Sequence, residues 1–326
     1  MRAIFDVLRI SLSTLLSCLY SRQKEIQRSW PSEFTFRLAK RMLRESVGKP
    51  ITWLRARQEW LTLYSPDRWK VIKKSEMLGK VACISMTPKQ GGDSGALIIY
   101  FHGGGYVVGS AEGYSLCMAK IALASKAKVV GVEYRLAPEH ALPAAQQDCL
   151  AVTQALIQMN QGKKIILMGD SAGGGLCLAT HNGLVALGLH QNISAMVLIS
   201  PWLAPLDPQA LECQHEASDI LDSVVLAHWL KQFFRQDKTP RELVDFSDIN
   251  TSVLPPLYIQ AAGKEVFSKQ IAVFVDRLDR ENAEHQYHVF DGQFHVFQTF
   301  SPLVREADKA LDKIGDYVRS VGAGKV

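Results

Sequence analysis

Ten consecutive residues constrain this chain more than any others: Ile165-Ile166-Leu167-Met168-Gly169-Asp170-Ser171-Ala172-Gly173-Gly174. The apolar run at 165–168 suits a strand buried on both faces of a sheet. A helical pattern follows at once, over about 172–188. Between the two the chain must turn sharply, and glycine fits where strand and helix pack too closely for a Cβ. G-x-S-x-G at such a corner holds the serine hydroxyl exposed above the sheet. The helix N-terminus beneath it favours negative charge developing there. Ser171 is the candidate nucleophile.

The same rhythm runs through most of the 326 residues. Short β-type runs are predicted at Trp69–Lys74, Val81–Met86, Ala96–Phe101, Lys128–Tyr134, Lys164–Met168, Ala195–Ser200, Leu257–Ala262 and His285–Phe290. Helical segments fall between them, near 113–126, 143–160, 172–188, 268–282 and 303–320. This alternation predicts a doubly wound α/β sheet of about eight strands, mostly parallel. One interval breaks it. Between Ser200 and Leu257 there is no clear strand, only a helical pattern through Ile220, Leu221, Val224, Val225, His228 and Trp229. An insertion of that size is expected above the strand ends.

The first 63 residues read as helices broken at Pro31 and Pro50, with apolar spacing at Phe36, Ala39, Met42 and Leu43, then at Trp53, Leu54, Trp60 and Leu61. Within the first twenty, Asp6 and Arg9 interrupt the apolar stretch, which argues against an export signal. Arg2, Asp6, Arg9, Ser13 and Ser17 form one stripe, and Ile4, Leu8, Leu12, Leu15 and Leu19 the opposite one. That is an amphipathic helix, expected to cover the site with its apolar face; the alternative is a helix lying on a membrane surface. The net charge of +5 is uneven. Residues 1–80 carry 17 Lys and Arg against 7 Asp and Glu, and the remainder 20 against 25. No basic motif with interleaved aromatics points to nucleic acid. Cys18, Cys83, Cys117, Cys149, Cys177 and Cys213 include no C-x-x-C pair, as expected of reduced thiols without a metal site.

His102-Gly103-Gly104-Gly105 ends the strand Leu97–Phe101. A glycine run there exposes N–H groups that could cradle a phosphate or an oxyanion. G-x-S-x-G downstream, without a G-x-x-x-x-G-K-[ST], favours the oxyanion. Gly103, Gly104 and Ala172 are the candidate donors. A serine nucleophile also needs a base and an orienting carboxylate. Of nine histidines, His140 lies in a proline-flanked segment. His181, His190, His215 and His228 lie on helices or in the insertion, and His285 and His288 within or beside a strand. His295 lies in a turn-like loop, Asp291-Gly292-Gln293-Phe294-His295, at the strand-end surface where Ser171 emerges. The carboxylate is expected after the penultimate strand. Glu265 follows Leu257–Ala262 directly, whereas Asp276 and Asp279 belong to the next helix and Asp291 to the histidine's own loop.

Over residues 68–320 these motifs resemble the hormone-sensitive-lipase-like family of α/β-hydrolases, which carries H-G-G-G and G-D-S-A-G-G. Tyr134-Arg135-Leu136-Ala137-Pro138-Glu139-His140, Ser200-Pro201-Trp202 and Phe294-His295-Val296-Phe297 are also similar to the family's pattern. That family commonly has an aspartate at the acid position and a second acidic residue shortly after; here these positions hold Glu265 and Lys269. The resemblance implies an α/β-hydrolase fold with a helical cap made from residues 1–63 and 202–250. The catalytic domain would then be 64–201 and 251–326. It implies a serine carboxylesterase acting on short- to medium-chain acyl esters through an acyl-enzyme, without a cofactor. The alternatives are an amide or N-acyl hydrolase on the same triad and a non-catalytic ligand-binding protein. Expected partners are a small-molecule ester and no nucleic acid. Peripheral membrane contact through the N-terminal helix and a homodimer are left open. With no clean export signal, the cytoplasm is the expected location, with membrane association or export as the alternatives.

Overall fold

The computed structural model describes residues 2–20, 28–58, 66–205, 215–233 and 244–326. Trp60, Leu61 and Cys213, singled out above, lie outside them. Eight strands form one sheet: β1 (Val71–Leu78), β2 (Val81–Pro88), β3 (Ala96–Phe101), β4 (Lys128–Val132), β5 (Lys164–Asp170), β6 (Ile193–Ile199), β7 (Leu257–Ala262) and β8 (His285–Phe290). Their order is β1-β2-β4-β3-β5-β6-β7-β8. β1 and β2 form an antiparallel hairpin, and β2 meets β4 antiparallel. From β4 to β8 every pairing is parallel. The first strand starts two residues later than expected, because Pro66–Lys70 forms a 3₁₀ turn that leaves Trp69 exposed.

Alternation along each strand builds two cores. On one face Leu97, Ile99 and Phe101 join α5 (Ala144–Met159), α6 (Ala172–Ala186) and α8 (Ser268–Arg280). On the other, Ile98 and Tyr100 meet α4 (Ser115–Ser125) and α9 (Arg305–Gly322). Each large aliphatic side chain buried this way stabilises the fold by about 1.5–3 kcal/mol. With both faces covered, the central strands read as continuous apolar runs.

Three helices precede the sheet: α1 (Arg2–Tyr20), α2 (Trp30–Ser46) and α3 (Ile51–Gln58). Pro31 and Pro50 stand at the starts of α2 and α3, where a missing N–H costs nothing. α2 buries Phe36, Ala39, Met42 and Leu43 and packs against α7 (Ser223–Phe233), the helix of the insertion. α1 turns Leu8 and Leu12 of its apolar stripe outward, with Leu15 half-buried. Ile10 and Thr14 are buried, Asp6 pairs with Arg57, Arg9 pairs with Glu45, and Arg37 donates to Ser17 Oγ. Leu8, Leu12 and Leu16 are exposed, at 63%, 61% and 48%. The expectation that the stripe covers the site is thereby corrected for Leu8 and Leu12. The outer face of α2 offers Arg37, Arg41 and Glu45, so it accepts the polar side of α1. Among the described residues no helix is long and apolar enough to cross a membrane. The five described cysteines are free thiols, four of them buried.

Candidate active site

Ser171 joins β5 to α6 with φ +52° and ψ −120°, a strained conformation for a residue with a Cβ. Backbone bonds to β6 and to the segment after it help to hold it there. Its N–H donates to Ile199 O at 2.9 Å, and its carbonyl accepts from Trp202 N at 2.9 Å. A Cβ on Gly173 would lie 1.9 Å from Phe101 O, so no other residue lets α6 start this close to β3.

The structure brings Ser171, His295 and Glu265 together across 124 and 30 residues of sequence. His295 Nε2 lies 2.8 Å from Ser171 Oγ, and His295 Nδ1 lies 2.6 Å from Glu265 Oε2. The second Glu265 oxygen accepts from Ala262 N at 2.8 Å, fixing the carboxylate against the end of β7. Phe267 meets the imidazole edge-on, with centroids 4.9 Å apart. Asp276, Asp279 and Asp291 are exposed and take no part. Burial pushes the imidazole toward its neutral form. The hydrogen bond and charge of Glu265, then the charges of Asp219 and Asp170, outweigh burial and raise the His295 pKa above 6.5.

The glycine loop departs from expectation at one residue. Gly103 N–H donates to Asp170 Oδ1 at 2.9 Å, so it is committed to binding the loop onto the serine turn. Asp170 also accepts from Tyr100 and Tyr114 hydroxyls, at 2.8 and 3.0 Å. Its burial raises its pKa to about 6, against the opposing pull of these three donors. Gly103 is therefore removed from the donor set. Among the described residues the N–H groups of Gly104, Gly105 and Ala172 meet no protein acceptor. Gly104 has φ +113°, and a Cβ there would strike Val108 O. His102 supports the loop from behind: it stacks on Tyr134 at 4.2 Å, and Tyr134 donates to His102 O at 2.7 Å. Burial pushes the His102 pKa down to about 4, so this ring is neutral. The stretch from Tyr134 to His140 is a brace. Arg135 pairs with Asp148, and Arg55 of α3 reaches Val107 O, Ala137 O and Glu139.

One buried carboxylate beside the site escaped sequence reasoning. Asp219, in the insertion, accepts from the N–H groups of His295, Val266 and Ile220, each at 2.7 Å. No motif marks it, because its partners are backbone groups. A cavity of about 640 Å³ opens above Ser171, His295 and Gly104. Phe34 and Leu38 of α2, Leu221 and Trp229 of the insertion, and Phe300 and Leu303 line its walls.

A serine, histidine and carboxylate at these distances, under an apolar cavity, suit acyl transfer. A family model described as alpha/beta hydrolase fold matches residues 98–299. The chain belongs to the hormone-sensitive-lipase-like family of α/β-hydrolases. The chain is 30% identical over 238 residues to carboxylesterase/phospholipase LipF of Mycobacterium tuberculosis, a match taking in 71% of this chain but only 63% of LipF. It is 30% identical over 234 residues to an esterase of Acinetobacter venetianus, covering 69% and 75% of the two chains. A hormone-sensitive lipase from a metagenome library superposes with a TM-score of 0.79 at 26% identity, over 90% of this chain and 100% of that one.

Proposed function

We propose that the chain is a serine carboxylesterase, hydrolysing short- to medium-chain acyl esters with Ser171, His295 and Glu265 as its triad. The observation that carries this is the unbroken relay from Glu265 to Ser171 Oγ at the floor of an apolar cavity. Ser171 attacks the ester carbonyl while His295 takes its proton and Glu265 holds the imidazole and offsets its charge. Gly104, Gly105 and Ala172 supply the oxyanion N–H groups. His295 then protonates the leaving alcohol, and water repeats the sequence on the acyl-enzyme. Residues 1–63 and 202–250 form a cap on the catalytic domain, 64–201 and 251–326, and α2 and α7 set the size of the acyl site. The cavity volume suits a small-molecule ester. Hydrolysis of p-nitrophenyl esters from acetate to palmitate, by wild type and Ser171→Ala, tests the reading. Turnover confined to wild type is expected; turnover of anilides but of no ester would make the protein an amide hydrolase instead.

The outward leucine stripe favours peripheral contact with an anionic lipid surface. Leu8, Leu12 and Leu16 lie along one exposed line of α1, within an N-terminal segment of net charge +10 over residues 1–80. Sedimentation with phosphatidylglycerol vesicles should carry the wild type down and leave the triple variant Leu8→Ser, Leu12→Ser, Leu16→Ser behind. Self-association of the wild type without vesicle binding would assign the stripe to a homodimer.

A further inference from the structure

Asp219 lies where the two loops of the relay meet, and neither loop owns it. Its Oδ2 accepts from Val266 N, the residue after Glu265, and its Oδ1 from His295 N. Oδ1 takes a further N–H from Ile220. One carboxylate thus spans the acid loop and the base loop at 2.7 Å on both sides, fully buried. We propose that Asp219 is a positioning residue for the triad: it sets the spacing between Glu265 and His295, and its charge supports the imidazolium formed during each acyl transfer. This rests on the esterase reading above.

The chemistry selects a carboxylate. Both oxygens face backbone N–H groups, so an asparagine can serve one loop but must turn its NH₂ against an N–H of the other. A buried donor left facing a donor pushes the loops apart. A shift on the order of 1 Å at a reacting group can cost about a hundredfold in rate. The second contribution is electrostatic. His295 is faced by three carboxylates from three elements: Glu265 after β7, Asp219 from the insertion and Asp170 from the serine turn. Asp219 is itself faced by Glu265, His295, Arg28 and Lys40. The two cations reach its own segment. Lys40 Nζ donates to Asp219 O at 2.8 Å and to Glu216 O, and Arg28 donates to Ser218 O. Asp219 is therefore placed from α2, so the helix lining the acyl cavity also sets the triad's geometry. The family's second acidic residue after the acid is absent here, where Lys269 stands, and a second carboxylate reaches the site from a different element.

Asp219→Asn tests this through kcat, KM and the pH dependence of kcat/KM on a p-nitrophenyl ester. The expected result is a loss of kcat of about ten- to a hundredfold with KM changed little. The acid limb should also move to lower pH, because one negative charge beside the imidazole is gone. A folded variant with wild-type kcat and an unmoved acid limb would overturn the inference. Absence of ester turnover in the wild type would instead defeat the esterase reading, which keeps the two failures apart. If Asp219→Asn does not fold, Lys40→Met decides. It frees the Asp219 segment but keeps the charge, so kcat should fall several-fold with the acid limb in place; wild-type kcat would refute the proposal.

Discussion

Glu265 and Asp291 compete for the role of acid, and the two differ in what surrounds them. Glu265 is fully buried, with one oxygen on His295 and the other on Ala262 N, whereas Asp291 is exposed. Glu265→Gln keeps the shape but loses the charge and presents the wrong hydrogen-bonding group to Nδ1. Its kcat should fall by about 10³–10⁴, as in comparable triads. Asp291→Asn should stay within about twofold of wild type, like most surface changes away from such features. Inactivity of Asp291→Asn with an active Glu265→Gln would reverse the assignment. The same residues dictate pH dependence. As the proposed base, His295 must be neutral to take the serine proton, and its neighbours raise its pKa despite burial. Protonation therefore disables it at higher pH than a free imidazole. The acid limb of kcat/KM should have its midpoint above about 6.5, and a midpoint well below that would show that burial prevails over the carboxylates.

The turn between β5 and α6 is the element on which the site depends most, and its glycines have no slack. The Gly173 Cβ position lies 1.9 Å from Phe101 O and 2.8 Å from His102 O. Gly173→Ala must push α6 away from β3, and with it both the serine and the glycine loop. Overpacking of this kind costs about 1–3 kcal/mol, occasionally more. Thermal melting should fall by several degrees, while kcat falls further than stability alone explains; unchanged activity would mean that the turn can relax. This element was legible in the sequence because sterics impose it: a buried strand, a corner and a helix leave only glycine at 173. The strands were legible too, since burial on both faces makes continuous apolar runs. What stayed hidden depends on partners that carry no pattern. Gly103 looks like its neighbours until Asp170 claims its N–H. Asp219 binds only backbone groups, which every residue shares. The stripe on α1 gave its periodicity away but not its direction, because that was decided by the charged outer face of α2.

Across the whole molecule, three distant stretches of chain converge beside His295: the approach to α2, the insertion and the loop after β8. Arg28 joins all three. Its guanidinium lies over Phe36 at 4.1 Å, reaches Phe294 at 5.4 Å, and donates to Gly292 O and Ser218 O. Ser32 adds a hydrogen bond to Gln293 at 3.0 Å, and Phe36 packs on Phe294 at 5.7 Å. The helices above the cavity are thus fastened to the loop that carries His295. Replacing Arg28 with methionine keeps some apolar packing but leaves two half-buried carbonyls without their donor, each costing less than the roughly 1–3 kcal/mol of a fully buried one. Most of that loss falls on the junction, since Gly292, Ser218, Phe36 and Phe294 all lie outside the eight strands. Local opening should therefore precede global unfolding. On heating, Arg28→Met should lose esterase activity several degrees below the midpoint of its far-UV circular dichroism transition, while in the wild type the two losses nearly coincide. If activity and secondary structure of the variant are lost together at the wild-type temperature, the helices are held by packing alone and the Arg28 bridges contribute nothing to the site.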